Sequence, residues 1–504
     1  MTTTVTEHHL GRLAERAFEG HDPDAATILF EGTWHTRREL FERVTRLAGG
    51  LASLTEPGDR VVVLMANSPD VGVLYQACWR AGLVATPVIF LLPPPELRHV
   101  LVDADARVLV TSPEFLAGVQ VAVDGLDVTV VCPGGPEGTL DLEDLAGADP
   151  LGVVDRADTD LAALLYTGGT TGRSKGVMLS HENLWHAGSI GHRTTAHDHL
   201  ARTIVPLPLS HSFGLLVTVT GLHDPNETVA VLQRWFDPAG FVDLVEAHRV
   251  EQAAVVPTML RLLLTLDLAG RDLSSLQRLV CGSAPLPREV LEAFERAVPS
   301  ATICEGYGLT ETAAATTVNR REARRLGTVG QALLDIDLRV VDDEGEEVPT
   351  GEPGEVLVRS PTNALGYWGS PEDTAATFTA DGWVRTGDIG ALDADGYLTI
   401  LDRKKDLIIR NGFNVYPRDV EDVLHAHPGV GAAGVVGRPD DAVGEEVVAF
   451  VAPAPGATLD PEEVRAWAKE HVGAKSYPRD VRVVEAIPLT PVMKTDRKAL
   501  RDLL

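Results

Sequence analysis

Short β-branched runs alternate with longer amphipathic stretches along most of the chain, and this alternation constrains the fold more than any other feature. Val61-Val62-Val63-Leu64 precedes a helical pattern over residues 69–81. Val108-Leu109-Val110-Thr111 and Val128-Thr129-Val130-Val131 read as further strands. The pattern predicts parallel sheets covered by helices, the α/β class. From Leu338 the texture changes. Arg339-Val340-Val341-Asp342-Asp343-Glu344-Gly345 and Tyr397-Leu398-Thr399-Ile400 read as hairpin arms with acidic-glycine turns. After Asp402 mixed strands and helices return, with a helix expected over residues 419–427. A chain of 504 residues is too long for one compact core. The charged cluster that follows an apolar strand at residues 401–406 places a boundary there, giving domains of 1–401 and 402–504.

Charge and cysteine usage narrow the function classes. Lys and Arg number 44 against 73 Asp and Glu, a formal charge of −29. Such a surface repels nucleic acid and anionic membranes unless a local basic patch overrides the field. Cys78, Cys132, Cys281 and Cys304 lie far apart with no C-x-x-C pair, so neither a disulfide framework nor a metal knuckle is expected. The first residues lack the basic-then-apolar profile of a signal peptide, and no apolar run approaches the ~20 residues of a membrane span. The expectation is a soluble cytoplasmic protein that does not bind nucleic acid.

The most informative stretch is Tyr166-Thr167-Gly168-Gly169-Thr170-Thr171-Gly172-Arg173-Ser174-Lys175-Gly176, set between two apolar runs. Its glycines and threonines supply backbone N–H and hydroxyl donors, and Lys175 adds charge, a set suited to polyphosphate oxygens. It lacks the spacing of a P-loop. Gly306-Tyr307-Gly308-Leu309-Thr310-Glu311-Thr312 offers a flat ring, a hydroxyl and a hard carboxylate oxygen for Mg²⁺, although an ordinary helix start reads the same way. Thr386-Gly387-Asp388 puts a carboxylate behind a glycine, fit for two ribose hydroxyls or for a plain turn. Gly429 to Gly434 spells G-x-G-x-x-G, but a helix precedes it and a strand-like run follows, so the dinucleotide reading is rejected. His181, His186, His192, His197 and His199 crowd one region, but their spacings are irregular and no cysteine joins them, so a metal site is not expected.

Seven motifs in order resemble the adenylate-forming superfamily of acyl-CoA synthetases, peptide-synthetase adenylation domains and beetle luciferases. Besides the three clusters above they are Pro208-Leu209-Ser210-His211-Ser212-Phe213-Gly214, Gly282-Ser283-Ala284-Pro285, Asp402-Arg403-Lys404-Lys405-Asp406, and Pro488-Leu489-Thr490-Pro491-Val492-Met493-Lys494. The resemblance spans nearly the whole chain and is nearest to fatty acyl-CoA ligases. It implies a large N-terminal domain of helix-covered sheets with a small β-barrel-like part, and a small mobile α+β C-terminal domain. In that family Thr167, Gly168, Gly169, Thr170, Thr171, Gly172 and Lys175 would hold the ATP phosphates, Thr310 would offer its hydroxyl to phosphate, and Glu311 would help bind Mg²⁺. Ser283, Ala284, Pro285, Gly306, Tyr307 and Gly308 would surround adenine, and Asp388 and Arg403 the ribose. Lys494 would approach the carboxylate and α-phosphate, Lys405 would sit at the hinge, His211 would gate the acyl tunnel, and the loop with Gly412 would face the pantetheine arm.

The implied activity joins a carboxylic acid to a thiol through acyl-AMP, with coenzyme A as acceptor and a phosphopantetheinylated carrier protein as the alternative. Amide formation from acyl-AMP and a non-catalytic nucleotide- or acyl-binding relative stay open as further readings. The segments 211–216, 256–259 and 313–317 are mostly apolar or small and carry no Lys or Arg, which favours a fatty or other apolar acid, simple aromatics included. An α-amino acid is disfavoured because Ser212-Phe213-Gly214 offers no aspartate for the amine. Two departures stand out: Met493 takes the place of a glycine before Lys494, with Lys498 the nearest substitute, and Gly168 replaces a serine. The loop from His223 to Thr228 is unusually polar beside the expected acyl pocket.

Overall fold

A computed structural model describes residues 7–167, 173–195, 200–490 and 495–504. The strands expected near Val61, Val108 and Val128 are Arg60–Leu64, Ala106–Thr111 and Thr129–Cys132, and the helix after the first is Pro69–Arg80. They lie in an eight-stranded sheet whose centre is parallel and whose edge is the antiparallel pair Leu161–Thr167 and Lys175–Ser180. Val61 and Val63 pack with Tyr75 and Trp79 on one side, while Val62 packs with Leu97 and Val100 on the other. Both faces are therefore covered, and the run has no reason to alternate with polar residues. Pro69 opens the helix and the Trp79 indole donates to the Ala162 carbonyl at 3.0 Å, fixing it against the sheet.

A second, nine-stranded sheet has parallel strands Arg202–Val205, Gln252–Val255, Arg278–Cys281 and Thr302–Tyr307 at its centre. Between the sheets the helices His181–Thr195 and Ser212–Gly221 pack closely. A Cβ on Gly188 would lie 2.6 Å from Val219, and one on Gly191 would lie 2.6 Å from Thr220 Oγ1. Only glycine permits that approach, and it sets where Ser212 begins its helix.

The texture change at Leu338 is a four-stranded antiparallel sheet of Asp337–Val341, Gly354–Arg359, Val384–Leu392 and Leu398–Arg403, an open sheet where a barrel-like part was expected, because its first and last strands do not pair. After the turn Lys404–Asp406 the strands Ile408–Arg410, Phe413–Val415, Val430–Asp440, Gly444–Pro453 and Asp480–Val483 form a separate sheet. The helices Pro417–His425 and Pro461–Ser476 close its apolar face through Val420, Leu424, Val464 and Ala468. The G-x-G-x-x-G run falls almost wholly on the strand Val430–Asp440 with a helix before it, as its rejection requires. The four cysteines are buried, unbridged thiols. Among the described residues no helix is long and apolar enough to cross a membrane.

Candidate active site

The carboxyl ends of strands from both large sheets, the four-stranded sheet and the C-terminal segment border one cleft of ≈ 1780 Å³. Thr167, Lys175, His211, Thr310 and Glu311 line it, as do Ser283, Ala284, Pro285, Gly306, Tyr307 and Gly308. Asp388, Arg403 and Lys405 border it from the four-stranded sheet and the turn beyond. Residues scattered over more than 200 positions of sequence are thereby brought to one wall. Gly168, Gly169, Thr170, Thr171, Gly172 and Lys494, with Met493, lie outside the described residues. The chain on either side of Lys494, at Thr490 and Thr495, lines the cleft, and so does Lys498. Gly412 does not line it. Asn411 and Gly412 both take positive φ, +51° and +75°, in the two-residue turn of a hairpin.

At one lip Lys175 Nζ lies 2.5 Å from Asp373 Oδ1 and 5.5 Å from the centre of the Tyr367 ring. Tyr367 in turn donates its hydroxyl to Glu311 Oε1 at 2.8 Å. The hydrogen bond from Lys175, followed by that from Ser370, holds the Asp373 carboxyl below its usual range. Burial, reinforced by Glu311, pushes the Tyr367 phenol up, so it stays a donor. A cation, a carboxylate and hydroxyls thus stand together where phosphate oxygens and a hard divalent ion can be held. The donor set fits Mg²⁺ through Glu311.

Along the wall Tyr307 donates to Asp388 Oδ2 at 2.6 Å, and Arg403 Nε stands 3.4 Å from Asp388 Oδ1. Asp388 and Arg403 are direct partners on neighbouring antiparallel strands, which fixes their spacing. Burial raises the Tyr307 phenol far above its ordinary value, with the Asp388 charge as the next cause. Asp388 is buried at the cleft wall, where a carboxylate is an acceptor only, the character that hydroxyl recognition needs. His211 caps the helix Ser212–Gly221, its Nδ1 accepting the Phe213 amide at 3.3 Å, which leaves the proton of a neutral ring on Nε2.

One stretch of the remaining wall is apolar or small. Phe213, Leu216, Val217, Ala284, Ala314 and Ala315 contribute to it. A Cβ on Gly308 would come within 2.0 Å of the Ala314 carbonyl oxygen, and one on Gly282 within 3.1 Å of the Gly306 oxygen. Ser283 and Ala314 hold φ of +68° and +87°, conformations that side chains resist and that cluster at functional sites. Thr220 and Asp224, at and beyond the far end of the Ser212–Gly221 helix, also line the cleft. The ten residues of that helix separate its two ends by about 15 Å.

At the side of the cleft formed by the turn Lys404–Asp406 and the C-terminal segment, three carboxylates converge on one guanidinium. Arg497 lies 3.1 Å from Asp402, 3.5 Å from Asp406 and 2.8 Å from Glu421, and Arg501 lies 2.7 Å from Asp406. Burial lowers the Lys405 ammonium below its usual range, with Arg403 adding to it. Reading the sequence alone missed Tyr367, Asp373 and Arg497. Gly366-Tyr367-Trp368 carries an aromatic pair as its only local signal, and Arg497 follows the last motif by three residues.

A model of AMP-binding enzymes matches residues 14–368, and one of the AMP-binding enzyme C-terminal domain matches residues 419–494. A feruloyl-CoA synthase from an Amycolatopsis species is 38% identical over 476 residues, 93% of this chain and 94% of that protein. The fatty acid–[acyl-carrier-protein] ligase ScoC of Streptomyces coeruleorubidus is 33% identical over 505 residues, 96% of this chain and 94% of that one. The solved structure of the amide bond synthetase McbA from Marinactinospora thermotolerans matches with a TM-score of 0.88 at 32% identity, covering 98% of this chain and 100% of that one. With both family models placed in order along a chain of this fold, the protein is a member of the adenylate-forming, AMP-binding CoA ligase family.

Proposed function

We propose that this chain activates an apolar acid of the aromatic kind with ATP and transfers the acyl group from acyl-AMP to coenzyme A. One observation carries the reading: a single cleft joins the Lys175–Tyr367–Glu311 cluster and the Asp388–Arg403 pair to a wall of glycine, alanine and Phe213. Phe213, Ala284, Ala314 and Ala315 line that wall, and an aromatic face with small side chains suits a planar ring better than a bent alkyl chain. Thr220 and Asp224 supply polar partners for a ring substituent such as a hydroxyl. The similarity to a feruloyl-CoA synthase supports the same class.

In the first step a carboxylate oxygen of the acid bonds to the α-phosphorus and the bond to the β-phosphate oxygen breaks, releasing pyrophosphate. Two anions must meet, so this chain's work is positioning and charge compensation. Lys175 and the Thr167 loop hold phosphate oxygens, Asp388 and Arg403 fix the ribose, and Lys494 approaches the reacting oxygens. Mg²⁺ held by Glu311 supplies charge neutralisation at the phosphates. In the second step the thiol sulfur bonds to the acyl carbon and AMP leaves. On this reading residues 402–504 are a domain that reorients between the steps about Lys405.

The test is pyrophosphate release with ATP, Mg²⁺ and a panel of arylacrylic, benzoic, fatty and short acids. Each acid is run without acceptor, with coenzyme A and with a phosphopantetheinylated carrier protein. Release with hydroxylated aromatic acids, followed by thioester formation with coenzyme A, is expected. Release with long fatty acids alone would overturn the aromatic reading, and thioester formation on the carrier alone would overturn the acceptor.

A further inference from the structure

Away from the cleft, three side chains that the proposed reaction does not use converge at the start of the helix His181–Thr195. Glu182 and His186 stand one turn apart on it, with His186 Nε2 lying 3.8 Å from Glu182 Oε1. His8 comes from the amino-terminal segment and packs its ring 4.9 Å from that of His186 and 4.4 Å from that of Trp185. One donor atom from each of His8, Glu182 and His186 lies within 4.8 Å of the other two. From these groups we infer a divalent transition-metal site, best suited to Zn²⁺, formed by two imidazoles and one carboxylate.

The ligand chemistry selects the ion. Imidazole nitrogens disfavour Ca²⁺ and Mg²⁺, which take oxygen, whereas two histidines and a glutamate are a common zinc set that leaves one position for water. Zn–N and Zn–O bonds near 2.0–2.1 Å place tetrahedral donors roughly 3.4 Å apart, so closing from 4.8 Å needs only side-chain rotation. The surroundings are already built to orient the ligands. Asp158 Oδ1 accepts the His8 amide at 3.3 Å and its Oδ2 lies 3.5 Å from His8 Nδ1. The Asp158 carbonyl accepts the Glu182 amide at 2.9 Å, so one residue anchors two of the three ligands. A carboxylate behind a ligating histidine fixes its ring and raises its basicity. The His8, His186 and Glu182 side chains are all partly exposed, which leaves an ion a path in.

A bound ion would tether the amino-terminal segment to the helix whose other end, at Gly191 and His192, borders the cleft. Irregular histidine spacing hid the site in the sequence because His8 comes from a distant segment. Isothermal titration of Zn²⁺ into the untagged, chelator-treated full chain is expected to show one ion per chain at micromolar affinity. Co²⁺ in its place should give the visible absorption of a four-coordinate site. His8→Gln, Glu182→Gln and His186→Gln should each weaken binding by about tenfold or more, and Asp158→Asn by up to about tenfold. Circular dichroism and nucleotide affinity of each variant should match the parent, which separates lost ligation from lost fold. Undiminished affinity in the His8 and His186 variants, or no binding below about 1 mM, would overturn the site.

Discussion

Glu305 sits at the end of the strand Thr302–Tyr307, on the cleft wall and 9% exposed. Burial pushes its carboxyl from 4.5 up to about 7, with Arg418 and Arg324 pulling the other way. The unfolded chain releases this proton near 4.5 and the folded chain near 7, so between those values the folded state binds more protons. The stability associated with the protonated group is therefore fully present below pH 4.5 and is lost as the pH rises through about 7. At about 1.4 kcal/mol per tenfold change in proton affinity, the displacement corresponds to about 3 kcal/mol. Glu305→Gln keeps the shape and removes the charge. The variant should gain up to about 3 kcal/mol on the parent at pH 8, measured against their difference at pH 4.5. Urea unfolding at both values checks this, with matched m-values as the condition for comparing midpoints. Histidines that burial holds low, such as His181 and His223, titrate in both proteins and cancel. A difference that does not change with pH would refute the reasoning, as would a variant less stable than the parent at pH 8.

Asp388→Asn should weaken ATP binding by about ten- to a hundredfold, since hydrogen bonds to a charged group contribute about 1.5–3 kcal/mol; calorimetric titration reads it, and unaltered affinity removes Asp388 from the ribose site. Lys494→Ala should abolish acid-dependent pyrophosphate release while ATP affinity survives, and unchanged turnover would transfer the role to Lys498. Gly308→Ala places a methyl 2.0 Å from the Ala314 carbonyl oxygen, so it should lose about 1–3 kcal/mol in urea unfolding and lower turnover with bulky acids. Arg497→Met leaves Asp402, Asp406 and Glu421 without their shared cation and should lose about 3–5 kcal/mol, seen as a lower urea midpoint; Arg497→Lys should recover part of it.

What was legible in the sequence was what is local. Val61 to Leu64 reads as a strand because both of its faces are covered, and Pro69 marks the next helix because its ring suits a first turn. The Thr/Gly loop and Tyr307 to Glu311 stand out in the sequence because donors of the kind phosphate chemistry needs are packed into few residues. Partnerships across the fold were not legible. Nothing near Lys175 in the sequence points to Asp373, and nothing near Glu311 points to Tyr367; strand pairing and a following helix bring them together. Arg497 was missed for the same reason, since its three carboxylates come from a strand, a turn and a helix. The loop at Asn411-Gly412 marks the limit in the other direction. Its residues have a sufficient local reason in the hairpin turn, so their presence argues little for a ligand.

The charge of −29 and a polyanionic substrate pull in opposite directions, and the cleft shows how one chain accommodates both. Several of its cations are already paired: Lys175 rests on Asp373, Arg403 on Asp388, and Arg497 on Asp402, Asp406 and Glu421. A nucleotide gains nothing from the long-range field of this surface, so attraction begins at short range, and at Lys175 phosphate oxygens must compete with Asp373. Exchange of Asp373 for a phosphate at Lys175 is close to neutral in Coulomb energy unless a second positive charge arrives with the ligand. Glu311, which accepts the Tyr367 hydroxyl at 2.8 Å, would hold a Mg²⁺ that supplies that charge. On the proposed function, nucleotide affinity should therefore depend steeply on Mg²⁺ and weakly on monovalent salt. Asp373→Asn should relax the Mg²⁺ requirement by freeing Lys175 in advance, and a chain that binds free ATP as well as its magnesium complex before that change would remove the exchange from the argument.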